Sequence, residues 1–507
     1  MLRRTVLLAA MLVLLTAGVA HASGLPLGTP GLAESRVMRT VAPGVTYVDI
    51  TRGQTTPDEF FTVDVGLTPD RAQADATAAD LRARTHPADV LEVQAAGTYY
   101  TVRSGHYATQ PEAQSAAAEI AAEGFTDVHA DYTGDDGTAT GGPWRIHVLD
   151  IDPRGFRGTV VPQLSNDVVP GRETVTQISA RTGALAAING GYFVIGAADG
   201  TPGDLAGLSV LGGDLVSEAV SGRTELLLPR ADGSGARIAK LSSELGVRSP
   251  DGATRLIDGR NRAAGLIRAC GGSGGDQPTE APLHDITCTD QSELIQYTPR
   301  FGATADPSTQ VEAALDPRGR VIALRSPGGG PIPPGGSVLG GTGDGADWLR
   351  AHARPGRRVA VAAGLREDGH RLPLTASLGV VNGGPRLLDN DRVEIDAEQE
   401  GFLHPGDPEF FYRFGVRRNP RTIAGVTGDG HLLLVAADGR APGFSVGLSF
   451  AEEASVLGAL GARDAVNLDG GGSTTMTLGS TLVTRPSDAT GERPVGDAIV
   501  LRTPSRR

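Results

Sequence analysis

A carboxylate followed by three glycines and three hydroxyl side chains is the stretch of this sequence best suited to chemistry. It reads Asn467-Leu-Asp-Gly-Gly-Gly-Ser-Thr-Thr-Met476. Because glycine reaches positive φ without a steric penalty, successive N–H groups of such a run can converge on one oxyanion, and neighbouring hydroxyls add donors. The run predicts an anion-binding loop with an acid, Asp469, at its edge. A mobile hairpin loop is the alternative for a triple glycine taken alone.

Two other segments place an asparagine and two glycines directly after an apolar strand. They are Ala186-Ala-Ile-Asn-Gly-Gly-Tyr-Phe193 and Val380-Val-Asn-Gly-Gly-Pro-Arg386. Glycine at a strand end lets a ligand approach the backbone, and the amides of Asn189 and Asn382 can bond to a sugar or a phosphate. Asparagine also holds turns through its side chain, so a structural role is the alternative for both.

Arginines are concentrated just before another predicted strand, at Arg413, Arg417, Arg418 and Arg421. A guanidinium group fits pairs of phosphate oxygens, and Arg421 stands at the start of the strand, so it is the predicted phosphate ligand. For Arg417 and Arg418 a solvated loop is the competing interpretation.

The elements that must position these residues alternate polar and apolar side chains as strands do. Residues 464–468 and 474–478 flank the triple glycine, and residues 421–425 form a hairpin with residues 431–435. Gly 71 and Pro 33 among 507 residues indicate many turns and short strands. The predicted fold class is α+β, with a β-rich mixed α/β catalytic domain and a small inserted module.

The inserted module is predicted at residues 57–133 from an internal near-repeat. Phe61-Thr-Val-Asp-Val-Gly66 and Tyr100-Thr-Val-Arg-Ser-Gly105 each lead into an Ala-rich amphipathic helix. This βαβ pattern resembles a SPOR domain, and the resemblance implies binding to the glycan strands of peptidoglycan; an α/β insert without a binding function is the alternative. Residues 35–56 are the first strand region of the catalytic domain, residues 134–142 are predicted as a flexible linker, and the catalytic domain resumes over residues 143–505.

The N-terminus predicts export. Arg3-Arg4 precedes an apolar run, and Ala20-His-Ala22 offers small residues for cleavage, so residues 1–22 are a predicted signal peptide. The apolar run is too short to span a membrane, so the mature chain is expected to be secreted, extracellular or associated with the cell wall, with no membrane span. In an oxidising compartment Cys270 and Cys288 are expected to form a disulfide, with a metal pair or two free thiols as the alternative.

Charge and ligand spacing limit the other function classes. The formal net charge is −13, which argues against a nucleic-acid partner. No His-containing or EF-hand-like spacing is present, so no cofactor is predicted with certainty, the metal is unknown, and a divalent cation such as calcium bound by clustered carboxylates stays open.

Five segments occur in the order in which the phosphodiester glycosidase family carries them. They are AAINGGYF, VNGGPRLL, RNPRTIAGV, VAADGR and NLDGGGSTTM, within residues 186–476. The chain resembles this family across roughly residues 140–505. The resemblance implies a secreted glycosidase that breaks the sugar C–O bond of sugar-1-phosphodiesters, such as N-acetylglucosamine-1-phosphodiesters, in cell-surface or extracellular glycopolymers.

Asp469 is the predicted catalytic carboxylate. The predicted substrate- and phosphate-binding residues are Arg421, Thr422, Asn189, Gly190, Gly191, Asn382, Gly383, Gly384, Asn467, Gly470, Gly471, Gly472, Ser473 and Thr474. Two alternatives remain: a metal-dependent phosphodiesterase that breaks the P–O bond, and a non-catalytic protein that binds cell-wall glycan.

Overall fold

The computed structural model describes residues 24–95, 97–220, 222–269, 277–278, 287–403 and 407–503. The predicted signal peptide and Cys270 lie outside the described residues. Strands account for 40% of the structure and helices for 16%, which confirms the predicted β-rich α+β class.

The N-terminal part contains a β-hairpin followed by the inserted module. Its elements are β1 (Glu34–Ala42), β2 (Val45–Arg52), β3 (Phe61–Thr68), α1 (Arg71–Ala83), β4 (Asp89–Gln94), β5 (Thr98–Tyr107), α2 (Gln110–Ala122) and β6 (Val128–Tyr132).

The module is one four-stranded antiparallel sheet in the order β4-β5-β3-β6, covered on one face by α1 and α2. Val63, Val65 and Val102 point to the helices and pack against Leu81 and Ile120. Strand residues alternate between the two faces of a sheet, and the opposite face therefore carries polar residues that include Asp64 on β3.

The rest of the described chain is built from short strands and four further α-helices. The strands are β7 (Trp144–Ile151), β8 (Thr159–Leu164), β9 (Ala186–Asn189), β10 (Ser209–Leu211), β11 (Asp214–Ser217), β12 (Thr224–Leu228), β13 (Arg237–Arg248), β14 (Thr254–Leu256), β15 (Gly259–Arg260), β16 (Leu266–Arg268), β17 (Gln277–Pro278), β18 (Thr287–Thr289), β19 (Leu294–Tyr297), β20 (Val311–Leu315), β21 (Val321–Arg325), β22 (Ser337–Gly341), β23 (Ala360–Glu367), β24 (His370–Leu372), β25 (Gly379–Asn382), β26 (Arg386–Asp389), β27 (Arg392–Val393), β28 (Arg421–Thr427), β29 (Leu432–Ala437), β30 (Ala462–Asn467), β31 (Met476–Leu478), β32 (Thr481–Leu482) and β33 (Asp497–Arg502). The helices are α3 (Val175–Thr182), α4 (Gly343–His352), α5 (Pro408–Phe411) and α6 (Phe450–Ala459).

The central layer is a sheet in the order β1-β2-β7-β29-β28-β30-β26-β27. Strand β2 pairs with β7, so the module is inserted between adjacent strands of this sheet. One face packs on a second sheet, β32-β31-β9-β33-β8, through an apolar layer that includes Leu434, Ile188 and Ile499. On the other face Phe450, Ala454 and Leu457 of α6 join the largest hydrophobic cluster.

Two further sheets form a β-rich region beside this pair of layers. Their orders are β11-β10-β25-β12-β13-β23-β24 and β15-β19-β22-β20-β21. They share a hydrophobic cluster that also contains Ala346 and Leu349 of α4.

The segment 134–142 is packed against the catalytic domain, so the prediction of a flexible linker is wrong. Asp136 and Thr140 are buried. Arg418 Nη1 and Nη2 donate to the carbonyls of Gly134 and Thr138 at 3.1 and 2.8 Å. Glycine and polar composition indicated mobility, but the arginine satisfies the backbone of the segment in a fixed conformation.

Candidate functional site

The predicted motifs converge where the ends of several strands meet. β28 pairs antiparallel with β30, with Ile423 opposite Asn467, and Leu468 N donates to Thr422 O at 2.8 Å. The pairing places the start of β28 beside the glycine run that follows β30. β9 reaches the same place from the second sheet, where Asp469 N donates to Gly190 O at 3.3 Å.

Asn189 ties these strand ends together. Its Nδ2 donates to Asp469 O at 2.6 Å, and its Oδ1 accepts from Thr422 Oγ1 at 2.7 Å and from Thr475 N at 3.1 Å. Asn189 is 1% exposed. Its side chain therefore fixes the backbone carbonyl of Asp469. This is a structural role, the alternative to ligand binding for this asparagine.

Asn382 plays a similar part for the neighbouring segment. Its Oδ1 accepts from Tyr192 N at 2.8 Å, and its Nδ2 donates to Tyr192 O at 3.3 Å. Asn467 Nδ2 donates to the Tyr192 hydroxyl at 2.6 Å and to Gly384 O at 2.9 Å. All three asparagine side chains therefore bond to backbone groups. Because Asn189 and Asn382 use their amides in this way, the predicted direct contacts of these two residues with a sugar or a phosphate do not fit the structure.

Most glycines of the motifs allow close packing of the strand ends. A Cβ on Gly190 would collide with the Asp497 carboxylate, and a Cβ on Gly191 would collide with Asn382. On Gly383 it would lie 2.7 Å from Asn467 O, and on Gly384 2.7 Å from Phe402. These positions are restricted to glycine by the protein itself.

The predicted convergence of consecutive N–H groups on an oxyanion is also corrected. Residues 471–473 form a 3₁₀ turn. Within the loop, the N–H groups of Gly471, Ser473 and Thr474 donate to Pro420 O, Gly470 O and Gly471 O at 2.8, 3.2 and 3.2 Å. These three N–H groups are therefore not available to an oxyanion as they would be in an open glycine nest.

What remains at the loop is a set of unused side-chain groups. The hydroxyls of Ser473, Thr474 and Thr475 are buried and have no hydrogen-bond partner among the described residues. Asp469 and Gly471 are half-buried and border the solvent. Buried polar atoms are normally satisfied, so a local group of unsatisfied hydroxyls beside a partly exposed acid is typical of a binding site.

A second carboxylate lies beside Asp469. Asp497 is fully buried, and its Oδ1 accepts from Gly191 N at 3.0 Å. Burial raises the pKa of Asp497 to about 7; the Gly191 bond opposes that rise, whereas the negative charge of Asp469 adds to it. Two carboxyl groups in different environments can hold different protonation states at neutral pH.

Arg421 lies beneath the loop, in the protein interior. Its residue exposure is 0%, and its Nε lies 2.9 Å from Glu453 Oε1 and donates to Leu448 O at 2.9 Å. Its Nη2 donates to Phe414 O, and its guanidinium carbon lies 4.5 Å from the Phe450 ring centroid. The predicted direct phosphate contact of Arg421 does not fit this burial, because strand pairing turns its side chain into the core.

Two other arginines flank the glycine loop. A Cβ on Gly471 would lie 3.3 Å from Arg440 Nη1, and one on Gly472 would collide with Arg493. Arg440 is exposed and bonds to Asn419 Oδ1 through Nε at 3.0 Å and Nη2 at 2.8 Å. Although Arg440 as a whole residue is exposed, protein is packed around its guanidinium. This packing, followed by the positive charge of Arg421, lowers the pKa of Arg440.

Sequence reasoning did not assign roles to either arginine, although Arg440 ends the VAADGR segment. Arg440 has φ +51°, a left-handed conformation that non-glycine residues rarely adopt. Arg493 is held by Asp488 through two bonds of 2.7 and 3.0 Å. We call Asp469, Gly470–Thr474, Arg440 and Arg493 the glycine-loop site.

The arginines before β28 join the module to the catalytic domain. Arg417 pairs with Asp135 and lies 3.5 Å from both Asp64 and Asp131, and Arg413 pairs with Asp131 at 3.1 Å. We call these five residues the interdomain ion cluster. Arg417 is 5% exposed and bonded to aspartates, so it is neither a phosphate ligand nor part of a solvated loop.

Other predicted features lie elsewhere or stay untested. No group of three or more His, Cys, Asp or Glu side chains within the described ranges is arranged to hold a metal ion, and the calcium ion stays a prediction. Cys288 is buried in β18, and its pairing with Cys270 stays a prediction because Cys270 is outside those ranges. In the part of the chain that the structure describes, no helix is long and apolar enough to cross a membrane.

A cavity of about 270 Å³ adjoins the glycine-loop site. A larger one, of about 670 Å³, is lined by residues such as Asp214, Arg260 and Arg300, and none of the predicted site residues lines it.

Similar proteins were found for the two parts of the chain and for the whole. Residues 309–502 match the phosphodiester glycosidase family model, and residues 57–129 match the SPOR domain model. Mouse N-acetylglucosamine-1-phosphodiester alpha-N-acetylglucosaminidase is 35% identical over 107 residues, which cover 21% of this chain and 19% of the mouse protein. The chain thus matches about a fifth of the length of that relative.

Two solved structures resemble the whole chain. A Burkholderia pseudomallei K96243 protein named for its inferred export has a TM-score of 0.86 and 37% identity, over 94% of this chain and 98% of that one. A hypothetical protein from Synechocystis has a TM-score of 0.56 and 18% identity, over 93% of this chain and 81% of that one, and shows the fold alone. Residues 309–502 therefore carry a phosphodiester glycosidase domain and residues 57–129 a SPOR domain, and the whole chain shares its fold with the B. pseudomallei protein.

Proposed function

We propose that the protein is an exported glycosidase that hydrolyses the bond between the anomeric carbon of a sugar and a phosphodiester. The phosphodiester glycosidase domain indicates a hydrolase that acts on phosphodiester-linked sugars. The single observation that carries the finer proposal is the glycine-loop site, where a partly exposed acid stands beside two arginines and unsatisfied hydroxyls.

The chemistry requires little from a general acid. When the C–O bond breaks, the phosphate leaves as a monoester whose second pKa is about 6, so it departs as an anion that needs charge stabilisation rather than a proton. Arg440 and Arg493 supply positive charge on either side of the loop, and the Ser473 and Thr474 hydroxyls supply donors. Buried Arg421 adds charge from beneath, reduced by Glu453.

Asp469 supplies the negative charge that the sugar needs. As the C–O bond breaks, the anomeric centre acquires oxocarbenium character, and a carboxylate can stabilise it or activate a water. The Asn189 bond to Asp469 O fixes the backbone from which this carboxylate projects. A substrate whose phosphate contacts the arginines would place its sugar at the acid.

The test is the Asp469→Asn variant. We expect kcat on a synthetic sugar-1-phosphodiester to fall by about a thousandfold, because the carboxylate is lost in both proposed roles. Asp464→Asn, on β30 just before the loop, is the matched control, and both variants should retain the unfolding temperature of the parent. Full activity of Asp469→Asn would remove its proposed role.

Hydrolysis in ¹⁸O-water separates this reaction from phosphodiesterase chemistry. Label in the released sugar indicates C–O cleavage, and label in the phosphate indicates P–O cleavage. Binding to purified cell-wall glycan with no sugar released from any phosphodiester would instead support the non-catalytic alternative.

Export and wall association form part of the proposal. The SPOR domain match indicates peptidoglycan binding, and the structural relative is named for inferred export. Residues 1–22 are the proposed signal peptide.

A further inference from the structure

The module is fixed beside the glycine-loop site. Its polar sheet face is covered by the catalytic domain through the interdomain ion cluster, and His129 on β6 lies 3.0 Å from Glu409 of α5. Asp64 is 0% exposed, although it belongs to a module with its own core. The B. pseudomallei structure matches 94% of this chain with a TM-score of 0.86, so both proteins share this placement of the module.

A cavity of about 270 Å³ lies between the two parts. The module contributes Phe61, Gln110, Ala130, Asp131 and Tyr132, and the segment 134–142 contributes Asp135. The catalytic domain contributes Arg413, Arg417, Arg418, Asn419, Arg440 and Pro442. Arg440 belongs to this cavity and also flanks Gly471. The cavity therefore adjoins the glycine-loop site, and the Arg440 guanidinium borders both.

We propose that this cavity binds the group on the far side of the phosphate from the released sugar, and that this group is a hydroxyl-rich sugar or polyol chain. The inference rests on the proposed function, because it takes Arg440 as a phosphate contact. A phosphodiester has two organic substituents. With the cleaved sugar at Asp469 and the phosphate at Arg440, the second substituent extends into the cavity.

The lining favours a hydroxyl-rich group over an apolar one. Asp131 and Asp135 accept from Arg413 and Arg417 and keep acceptor capacity, because each carboxylate oxygen can accept more than one hydrogen bond. Arg418 and Asn419 donate to Gly134 O, Thr138 O, Glu452 and Arg413 O, and they form a polar wall of the cavity. The rings of Phe61 and Tyr132, with centroids 5.1 Å apart, add an apolar surface on the module side. Such a mixture of aromatic surface and fixed polar groups binds a sugar face and its hydroxyls together.

The width of the cavity is set by both domains, which gives the module a role in substrate selection. Gln110 stands on the first turn of α2, and Pro442 on the opposite wall; both are exposed. A bound chain of more than one sugar unit can extend out of the cavity between Gln110 and Pro442. A bulky side chain at either position would narrow that exit and leave the glycine loop unaltered.

The experiment compares two substrates that share the sugar-1-phosphate. One carries a methyl group on the phosphate, and the other carries a β-1,4-linked N-acetylglucosamine tetrasaccharide. We expect the full chain to cleave the tetrasaccharide diester with a kcat/KM about tenfold above that of the methyl diester, because binding energy from the remote group is realised at the reacting centre.

Gln110→Trp and Pro442→Trp should each lower the ratio of the two kcat/KM values by about tenfold, a loss of the remote contribution. Gln114→Trp, exposed on the same helix and not lining the cavity, is the matched control and should keep the ratio. Both Gln110 and Pro442 are replaced, so that the result does not depend on one variant that folds poorly.

Equal cleavage of both substrates by the parent, or an unchanged ratio in both cavity variants, would overturn the inference and leave the proposed function standing. Failure of the parent to cleave either diester would overturn the proposed function, and the inference with it.

Discussion

The glycine-loop site and the interdomain ion cluster are neighbouring polar regions that differ in how their polar and charged side chains are paired. In the ion cluster, Arg417 and Arg413 are enclosed by three aspartates. In the glycine-loop site, three hydroxyls have no partner among the described residues, and Arg440 donates to the neutral Asn419 amide oxygen. Buried charges matched by opposite charges hold the two parts of the chain together. Buried hydroxyls without a partner and an arginine bonded to a neutral amide are typical of a ligand site, although Arg493 of the glycine-loop site is paired with Asp488.

The same contrast separates Arg421 from Arg440. Arg421 Nε lies 2.9 Å from Glu453 Oε1 in a fully buried pair, in which Arg421 Nη1 and both Glu453 oxygens have no hydrogen-bond partner among the described residues. Burial raises the pKa of Glu453 to about 8, and the nearby Arg421 opposes that rise. Arg440 has a strained backbone and an exposed side chain. Strain that persists in a folded protein is offset elsewhere and is concentrated at functional positions.

Breaking the ion cluster should have the largest effect on stability. Arg417→Met leaves the carboxylates of Asp64, Asp131 and Asp135 buried with less compensation, and we expect the free energy of unfolding to fall by about 3–5 kcal/mol. Chemical denaturation measures this change.

The matched control is Arg366→Met, which removes a surface arginine paired with Glu244 at 2.5 Å and should cost about 0–1 kcal/mol. Equal losses in the two variants would show that the cluster contributes no more than a surface pair, and the contrast between the two regions would fail.

Removing Arg440 should instead affect activity. In Arg440→Met the phosphate loses its exposed cation, and we expect kcat/KM to fall by about 10²–10³-fold, as when one stabilising donor is removed from an active site. The free energy of unfolding should change by less than about 1 kcal/mol, as for other exposed positions.

Arg421→Met gives the converse comparison. It removes a buried guanidinium beside Glu453, whose pKa is already about 8 and whose carboxyl is then neutral near pH 7, and the polar groups left without partners should lower the stability by about 1–3 kcal/mol. A large stability loss in Arg440→Met with retained kcat/KM would reverse the proposed assignment of the two arginines.

The hairpin and the strand ends that carry the motifs could be predicted because local patterns determine them. The alternation in residues 421–425 and 431–435 predicts the hairpin that β28 and β29 form, and three similar strand ends predict a shared site. Which arginine faces the substrate could not be predicted, since it depends on strand register and on Glu453, which lies on a different element. The packing of residues 134–142 depends on Arg418, distant in sequence, so composition alone predicted mobility there.

The smallest expected effect comes from the proton on the Asp497 carboxyl group. The folded protein holds this proton up to a pKa of about 7, whereas an unfolded aspartate releases it near ~4. Between these values the folded state binds more protons, so this carboxyl contributes stability that is present below the unfolded pKa and is lost as pH rises through about 7. Ionised Asp497 also adds negative charge beside Asp469 and the phosphate site.

Asp497→Asn keeps a neutral acceptor for Gly191 N. We expect the decline in kcat/KM above pH 7 to be weakened, with less than about a threefold change at pH 6, where Asp497 is already neutral. The unfolding temperature of the variant should also fall less than that of the parent between pH 6 and pH 8. A parallel pH profile for the two proteins would mean that Asp497 does not titrate in this range. The unsatisfied groups at the glycine loop would then act independently of the buried carboxyl behind them.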